Sequence, residues 1–220
     1  MSRGRGFDGL APLYELLEKS VFGSLLDRTR TALLEHDDQA VGTALLLGEG
    51  DGRFLLSALQ AWPRRQFLVV DGSHAMLGEA KQRIALLAEF DQRRVRFLQA
   101  TLPADLNDLM EEGPFAVIST HFFLDCFTQS ELEVWIPKLA AQLEPNGTWL
   151  TSDFRQPAFG AARLAGGWLI ALMYRFFRVA TGLRASTLPD DQATLGRAGL
   201  RCRKSTRLAG GFLYAESWRR

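Results

Sequence analysis

Between residues 43 and 154 the chain alternates short apolar runs with segments of helical spacing, and this rhythm restricts the fold more than any other feature. The runs "TALLL", "QFLVVDG", "RVRFLQA", "FAVIST" and "GTWLTSDF" read as strands. The first is continuously apolar and closed by glycine, which suits a parallel strand buried on both faces. Between them "RFLLSALQAW", "SHAMLGEAKQRIALLAEF", "LPADLNDLM" and "QSELEVWIPKLAAQL" carry helical periodicity, the last stopped by Pro145-Asn146-Gly147. Strict strand and helix alternation predicts an α/β, doubly wound, mostly parallel sheet flanked by helices.

The flanks extend this pattern. Leu13, Leu16 and Leu17, then Leu25, Leu26, Leu33 and Leu34, predict N-terminal helices within 1–40. Residues 157–189 form an aromatic-rich insert of helical character, a candidate lid between the fifth and sixth strands. "LRCRKSTRLA" and "FLYAESWRR", joined at Gly210-Gly211, predict a terminal hairpin whose last strand is antiparallel. The 220 residues, 47% hydrophobic and without repeat or linker, fit a single domain over 1–220.

Composition narrows the function. With 26 basic and 25 acidic residues the net charge is +1, so no overall field attracts nucleic acid. The basic cluster "RAGLRCRKSTR" puts Arg201, Arg203 and Ser205 on one strand face, which reads as solvated. Cys126 and Cys202 lie far apart, and the three histidines lack metal-ligand spacing, so no metal and a reducing, cytoplasmic location are expected. The first residues show no secretory signal pattern.

The first apolar run breaks into Gly48-Glu49-Gly50-Asp51-Gly52. A triphosphate loop requires Lys followed by Ser or Thr, where this chain has Arg53-Phe54. The dinucleotide fingerprint requires a third glycine where Arg53 stands. Tyr14, Tyr174 and Tyr214 are followed four residues on by Glu18, Arg178 and Trp218, so the Tyr-x-x-x-Lys pair of short-chain dehydrogenases is absent. What remains is a bare turn against which an amino-acid-plus-nucleoside cofactor such as S-adenosylmethionine can lie, with Asp71 at the next strand end accepting the ribose hydroxyls.

"LLLGEGDGRF", "VVDGSHAML", "FLQATLP" and "VISTHFFLDCF", in this order, resemble the class I S-adenosylmethionine-dependent methyltransferases, in the small-molecule branch related to the ubiquinone and menaquinone C-methyltransferases. The likeness runs from "FDGLAPLYELLE" to "GGFLYAESW". It implies a Rossmann-like sheet of seven strands with the last inserted beside the fifth, and the cofactor across the carboxyl ends of the first four. The cofactor shell it implies is Tyr14, Gly48, Glu49, Gly50, Gly52, Asp71, Gly72, Ser73, Met76, Thr101, Leu102, Ser119, Thr120 and His121, with S-adenosylhomocysteine as product. Two positions depart from the family. Leu46 stands where an acid usually faces the cofactor's amino group, a role Glu49 can take, and Ala100 replaces an Asp near the adenine amine, leaving Thr101 or a backbone carbonyl.

Methyl transfer requires alignment above all. Where the acceptor must lose a proton, His121 is the candidate base, with Asp125 to orient it or bind substrate. The alternative is that His121 bonds a backbone carbonyl or packs on the cofactor, with Phe122 and Phe123 as core or pocket wall. Arg155, with Trp168, Met173, Tyr174 and Phe177 of the insert, is the candidate acceptor wall; an internal ion pair and a plain packing stripe are the competing readings. The expected acceptor is a hydrophobic small molecule, quinone-like or lipid-derived, methylated at oxygen or carbon, and Arg175 and Arg178 would assist peripheral contact with a membrane surface. The absence of an Asn/Asp-Pro-Pro-Tyr signature disfavours amino groups of nucleic acid. A cofactor-binding protein without turnover and a nicotinamide oxidoreductase are the competing classes.

Overall fold

The computed structural model describes residues 23–157 and 187–220. Helix α1 (Leu25–Thr31) leads into β1 (Thr43–Leu47), α2 (Arg53–Ala61), β2 (Gln66–Asp71), α3 (His74–Ile84), α4 (Glu89–Arg93), β3 (Val95–Gln99), α5 (Leu106–Met110) and β4 (Phe115–His121). A 3-10 turn at Leu124–Cys126 precedes α6 (Gln129–Ala141) and β5 (Leu143–Phe154). After the insert come α7 (Asp191–Arg197), β6 (Arg201–Leu208) and β7 (Leu213–Arg219).

The seven strands form one sheet in the order β3-β2-β1-β4-β5-β7-β6. The first five strands pair in parallel, and β7 runs antiparallel between β5 and β6. The terminal hairpin is therefore as expected, turning at Ala209–Gly211. Alternation along each strand divides the core. Leu45, Leu47, Leu68, Val70 and Ile118 face a layer with Trp135, Leu139 and Trp149, while Ala44, Leu46, Val69 and Val117 face Phe54, Leu55, Ala58 and Leu77.

Local chemistry sets the helix starts. The Ser73 hydroxyl accepts the Met76 N–H to open α3, and Thr128 and Glu131 form a reciprocal capping box at α6. Three elements differ from the expectation. The segment 73–90 is not one helix: α3 stops at Ile84, Leu86 is 86% exposed, and Ala88 is extended before α4. The fifth strand begins at Leu143, not at Gly147, because Leu143 pairs with Phe115 and the following turn is absorbed as a bulge before Thr148 meets Val117. Helix α7 was not expected; Asp190 caps it by accepting the Ala193 N–H. Among the described residues no helix is long and apolar enough to cross a membrane.

Candidate cofactor cleft

β1 lies between β2 and β4, so the crossovers on its two sides leave in opposite directions and open a crevice at the strands' carboxyl ends. A cleft of about 1130 Å³, including its open mouth, occupies that place. All three glycines of the turn after β1 have left-handed backbone, with φ of 64° at Gly48, 67° at Gly50 and 87° at Gly52. Their surroundings differ. A Cβ on Gly48 would lie 2.0 Å from the Phe123 ring, and one on Gly52 would lie 3.0 Å from Ala80 of α3. A Cβ on Gly50 would meet nothing within 4 Å, so the turn is bare there towards the cleft that Gly50 lines.

Asp71 joins the turn to β2. Its Oδ2 accepts the Gly50 N–H at 3.0 Å and its Oδ1 accepts the Ser73 N–H at 2.8 Å. Two backbone donors thus fix the carboxylate plane at the end of β2. Glu49 also lines the cleft and accepts the Leu55 N–H at 2.8 Å in the first turn of α2. Burial pushes its carboxyl up to about 8, against the lowering effect of that N–H and of Arg30. Asp51 bonds Arg53 at 3.0 Å and Arg83 of α3 at 2.8 Å, while Asp27 of α1 pairs with Arg30 at 2.7 Å and Arg53 at 3.3 Å. These ion pairs bring α1 to the glycine turn.

At the end of β4 the His121 ring is 9% exposed, with Nδ1 2.8 Å from the Ser152 hydroxyl of β5 and the Phe54 ring edge-on at 4.2 Å. Among the described residues its Nε2 has no hydrogen-bond partner. Burial, and secondarily the Arg30 charge, push the imidazole down to about 3. Phe122 has φ 52°, donates its N–H to the Ser152 carbonyl at 2.7 Å and carries the Arg30 guanidinium 5.0 Å above its ring.

The wall contains Gly48, Glu49, Gly50, Asp71, Gly72, Ser73 and Met76 from the ends of β1 and β2, Thr101 and Leu102 from beyond β3, and His121 from β4. Other expected contacts are placed elsewhere. Gly52 packs on α3; Ser119 and Thr120 are buried in the sheet, where Thr120 accepts the Trp149 indole N–H at 3.0 Å. Asp125 does not orient His121, a place taken by Ser152. Its N–H donates to Asp153 at 3.1 Å, and burial pushes its carboxyl up to about 6, with Asp191 adding to the rise. Arg155 is 3.6 Å from Glu216 and 4.2 Å above the Tyr214 ring, the internal ion pair that competed with an acceptor role. Tyr14, Trp168, Met173, Tyr174 and Phe177 lie outside the described residues.

The departures from the family pattern have physical reasons. Leu46 is fully buried in the core on the α2 side, so a carboxylate there would be sealed from the cleft, whereas Glu49 lines it. Ala100 is part of the wall, and the neighbouring Thr101 N–H is taken by Asp105 at 2.7 Å. Sequence reasoning missed Arg30, Asp51, Arg53, Phe54, Cys126 and Phe127 as wall residues. Arg53 and Phe54 follow the glycine turn directly and were recoverable from it; Arg30 is brought in only by packing of α1.

The arrangement fits S-adenosylmethionine: a clamped strand-end carboxylate for the ribose, a bare turn for the amino-acid end and Met76 and Leu102 as apolar wall. Residues 44–147 match the family model described as "Methyltransferase domain". Among curated proteins none matches the chain. Among solved structures, mitomycin 7-O-methyltransferase MmcR is similar at 19% identity and TM-score 0.66, over 100% of this chain and 61% of its own. The O-methyltransferase family 2 protein of Planctomyces limnophilus, solved in complex with apigenin, gives 16%, 0.66, 96% and 61%. CalO1, a methyltransferase of calicheamicin biosynthesis in its S-adenosylhomocysteine-bound form, gives 16%, 0.61, 96% and 59%. The chain therefore spans about three-fifths of the length of these proteins, and at such identities the likeness shows the fold. Residues 44–147, which carry the glycine turn, Asp71 and His121, thus match a methyltransferase domain model, and the chain has the fold of the methyltransferases to which it is similar.

Proposed function

We propose that this chain transfers the methyl group of S-adenosylmethionine to oxygen or carbon of a hydrophobic small molecule. The observation that carries the reading is the Asp71 carboxylate, held by Gly50 and Ser73, in the same cleft as the His121 ring. When bound, the cofactor supplies an electrophilic methyl group on a sulfonium. Asp71 holds the ribose, the turn at Gly50 admits the amino-acid end, and Glu49 faces it. Phe54, Phe122, Phe123 and Phe127 form an apolar aromatic wall that favours a planar, hydrophobic acceptor and keeps water from the reacting atoms. The apigenin held by the Planctomyces protein is of that shape.

Catalysis in this reading rests on positioning. An imidazole pushed down to about 3 is a weak base, so His121 acts as a neutral polar group beside the acceptor. Calorimetric titration with S-adenosylmethionine and S-adenosylhomocysteine, with NADH as control, tests the cofactor site. Micromolar binding lost in Asp71→Ala supports it and justifies an acceptor screen with apolar phenols and quinols. Binding without turnover across that screen would favour a non-catalytic role, and selective binding of NADH would favour an oxidoreductase.

A further inference from the structure

We propose that the cleft reads the edge of the cofactor's base through the Thr101 hydroxyl, and so admits a purine with a 6-oxo group as readily as the 6-amino group of adenine. This rests on the methyl-transfer reading above and names the class of cofactor that the site takes.

The place of the base follows from the two groups that hold the rest of the molecule. The strands stand in the order β3-β2-β1-β4, with the bare turn at Gly50 after β1 and the clamped Asp71 at the end of β2. With the amino-acid end at Gly50 and the ribose at Asp71, the base extends to the far side of Asp71, over the end of β3. Ala100, Thr101 and Leu102 line the cleft there, and Met76 of α3 adds a further apolar side chain.

Adenine and hypoxanthine present opposite hydrogen-bonding edges. Adenine donates from its 6-amino group and accepts at N1, whereas hypoxanthine accepts at O6 and donates from N1. A carboxylate only accepts, so it selects the first, and a backbone N–H directed at N1 does the same. Position 100 offers no such carboxylate, and the two N–H groups that follow β3 are engaged. The Ala100 N–H donates to the Asp71 carbonyl at 3.2 Å, and the Thr101 N–H donates to Oδ2 of Asp105 at 2.7 Å. The Asp105 N–H in turn donates to the Thr101 carbonyl at 3.0 Å, which holds the Thr101 peptide groups within the loop. The acids among the described wall residues, Glu49, Asp51 and Asp71, belong to the glycine turn and the end of β2.

Thr101 therefore brings a hydroxyl that makes no hydrogen bond among the described residues. A hydroxyl rotates, and it donates its hydrogen or accepts on a lone pair as its partner requires. It accepts from a 6-amino group and donates to a 6-oxo group with similar gain. Leu102 and Met76 contribute dispersion contacts that are indifferent to the exchange. Strong discrimination arises where the wrong ligand leaves a group of the site unpaired, and a hydroxyl is left unpaired by neither base.

The test is calorimetric titration with S-adenosylhomocysteine and S-inosylhomocysteine, which differ only at the edge of the base. The two dissociation constants are expected to agree within about fivefold, and a wider gap overturns the inference. Thr101→Val removes the hydroxyl and should weaken both ligands to the same degree, by about threefold or more. Loss confined to one ligand, or to neither, overturns it. Ala100→Asp puts an accepting group on the wall and should weaken S-inosylhomocysteine about tenfold or more relative to S-adenosylhomocysteine. An unchanged ratio in a folded variant also overturns the inference, because the base then lies elsewhere. Circular dichroism establishes that each variant is folded, and the wild-type comparison stands without them. A wild type that binds S-adenosylhomocysteine alone removes only this inference, whereas one that binds neither compound removes the methyl-transfer reading.

Discussion

The backbone N–H of Gly50 donates to Oδ2 of Asp71 at 3.0 Å, so the turn that follows β1 and the acid that ends β2 are one structural unit. Removing the acid should therefore disturb the turn as well as the ribose contact. Asp71→Ala is expected to weaken S-adenosylhomocysteine binding by on the order of 100-fold, about 3 kcal/mol, because hydrogen bonds to a charged group are lost together. Calorimetric titration checks this, with circular dichroism to establish that the variant is folded.

The glycines of the turn should separate folding from binding. Gly50→Val meets open space, so its cost to stability is the left-handed backbone alone, about 1–2 kcal/mol, while its side chain fills the bare part of the cleft and abolishes cofactor binding. Gly48→Ala puts a methyl group 2.0 Å from the Phe123 ring at φ 64° and is expected to cost about 2–4 kcal/mol of stability. Urea unfolding of the two variants side by side tests the distinction.

Stability should fall as pH rises through the neutral range. Glu49 is raised from 4.5 to about 8, and Asp125 and Asp191 from 3.8 to about 6, each chiefly by burial. The unfolded chain releases these protons near the ordinary values while the folded chain still holds them. The contribution is thus complete below the unfolded values and is lost as pH climbs to about 6 for the aspartates and about 8 for Glu49. Glu49→Gln keeps an acceptor for the Leu55 N–H and does not titrate. Its stability, measured by urea unfolding at both ends of the interval from about 6 to about 8, should change less with pH than that of the wild type.

Arg94 tests stability without touching the cleft. Its guanidinium is 5% exposed and donates to the Leu59, Trp62 and Arg65 carbonyls at 3.1, 3.0 and 3.1 Å and to Asp91 at 2.6 Å. Arg94→Met leaves those acceptors unpaired and should cost about 3–5 kcal/mol. Because Arg94 precedes β3, at the amino ends of the strands, the folded fraction should bind S-adenosylhomocysteine with unchanged affinity.

Much of the fold was legible because its signals are local. β1 at Thr43–Leu47 and β2 at Gln66–Asp71 stand where continuous apolar runs end in glycine or acid, and the Gly210-Gly211 turn marked the hairpin. The break after Ile84 was hidden because helical spacing continues through 85–90. The early start of β5 depends on Leu143 finding Phe115, and α7 is too short for periodicity to reveal.

The same division applies to the site. By itself the sequence determined that a bare turn and a strand-end acid occur at the spacing of one strand, one helix and one strand, which places Gly50 and Asp71 at neighbouring carboxyl ends of the sheet. That follows because parallel pairing of β1 with β2 is set by a single short crossover. Only the tertiary structure decided that His121 meets Ser152 across 31 residues of chain, that Asp125 turns to Asp153, and that Arg30 reaches the imidazole from α1. Those partners are chosen by burial and by strand register, in which His121 lies opposite Ser152, and neither is a property of any short stretch of sequence.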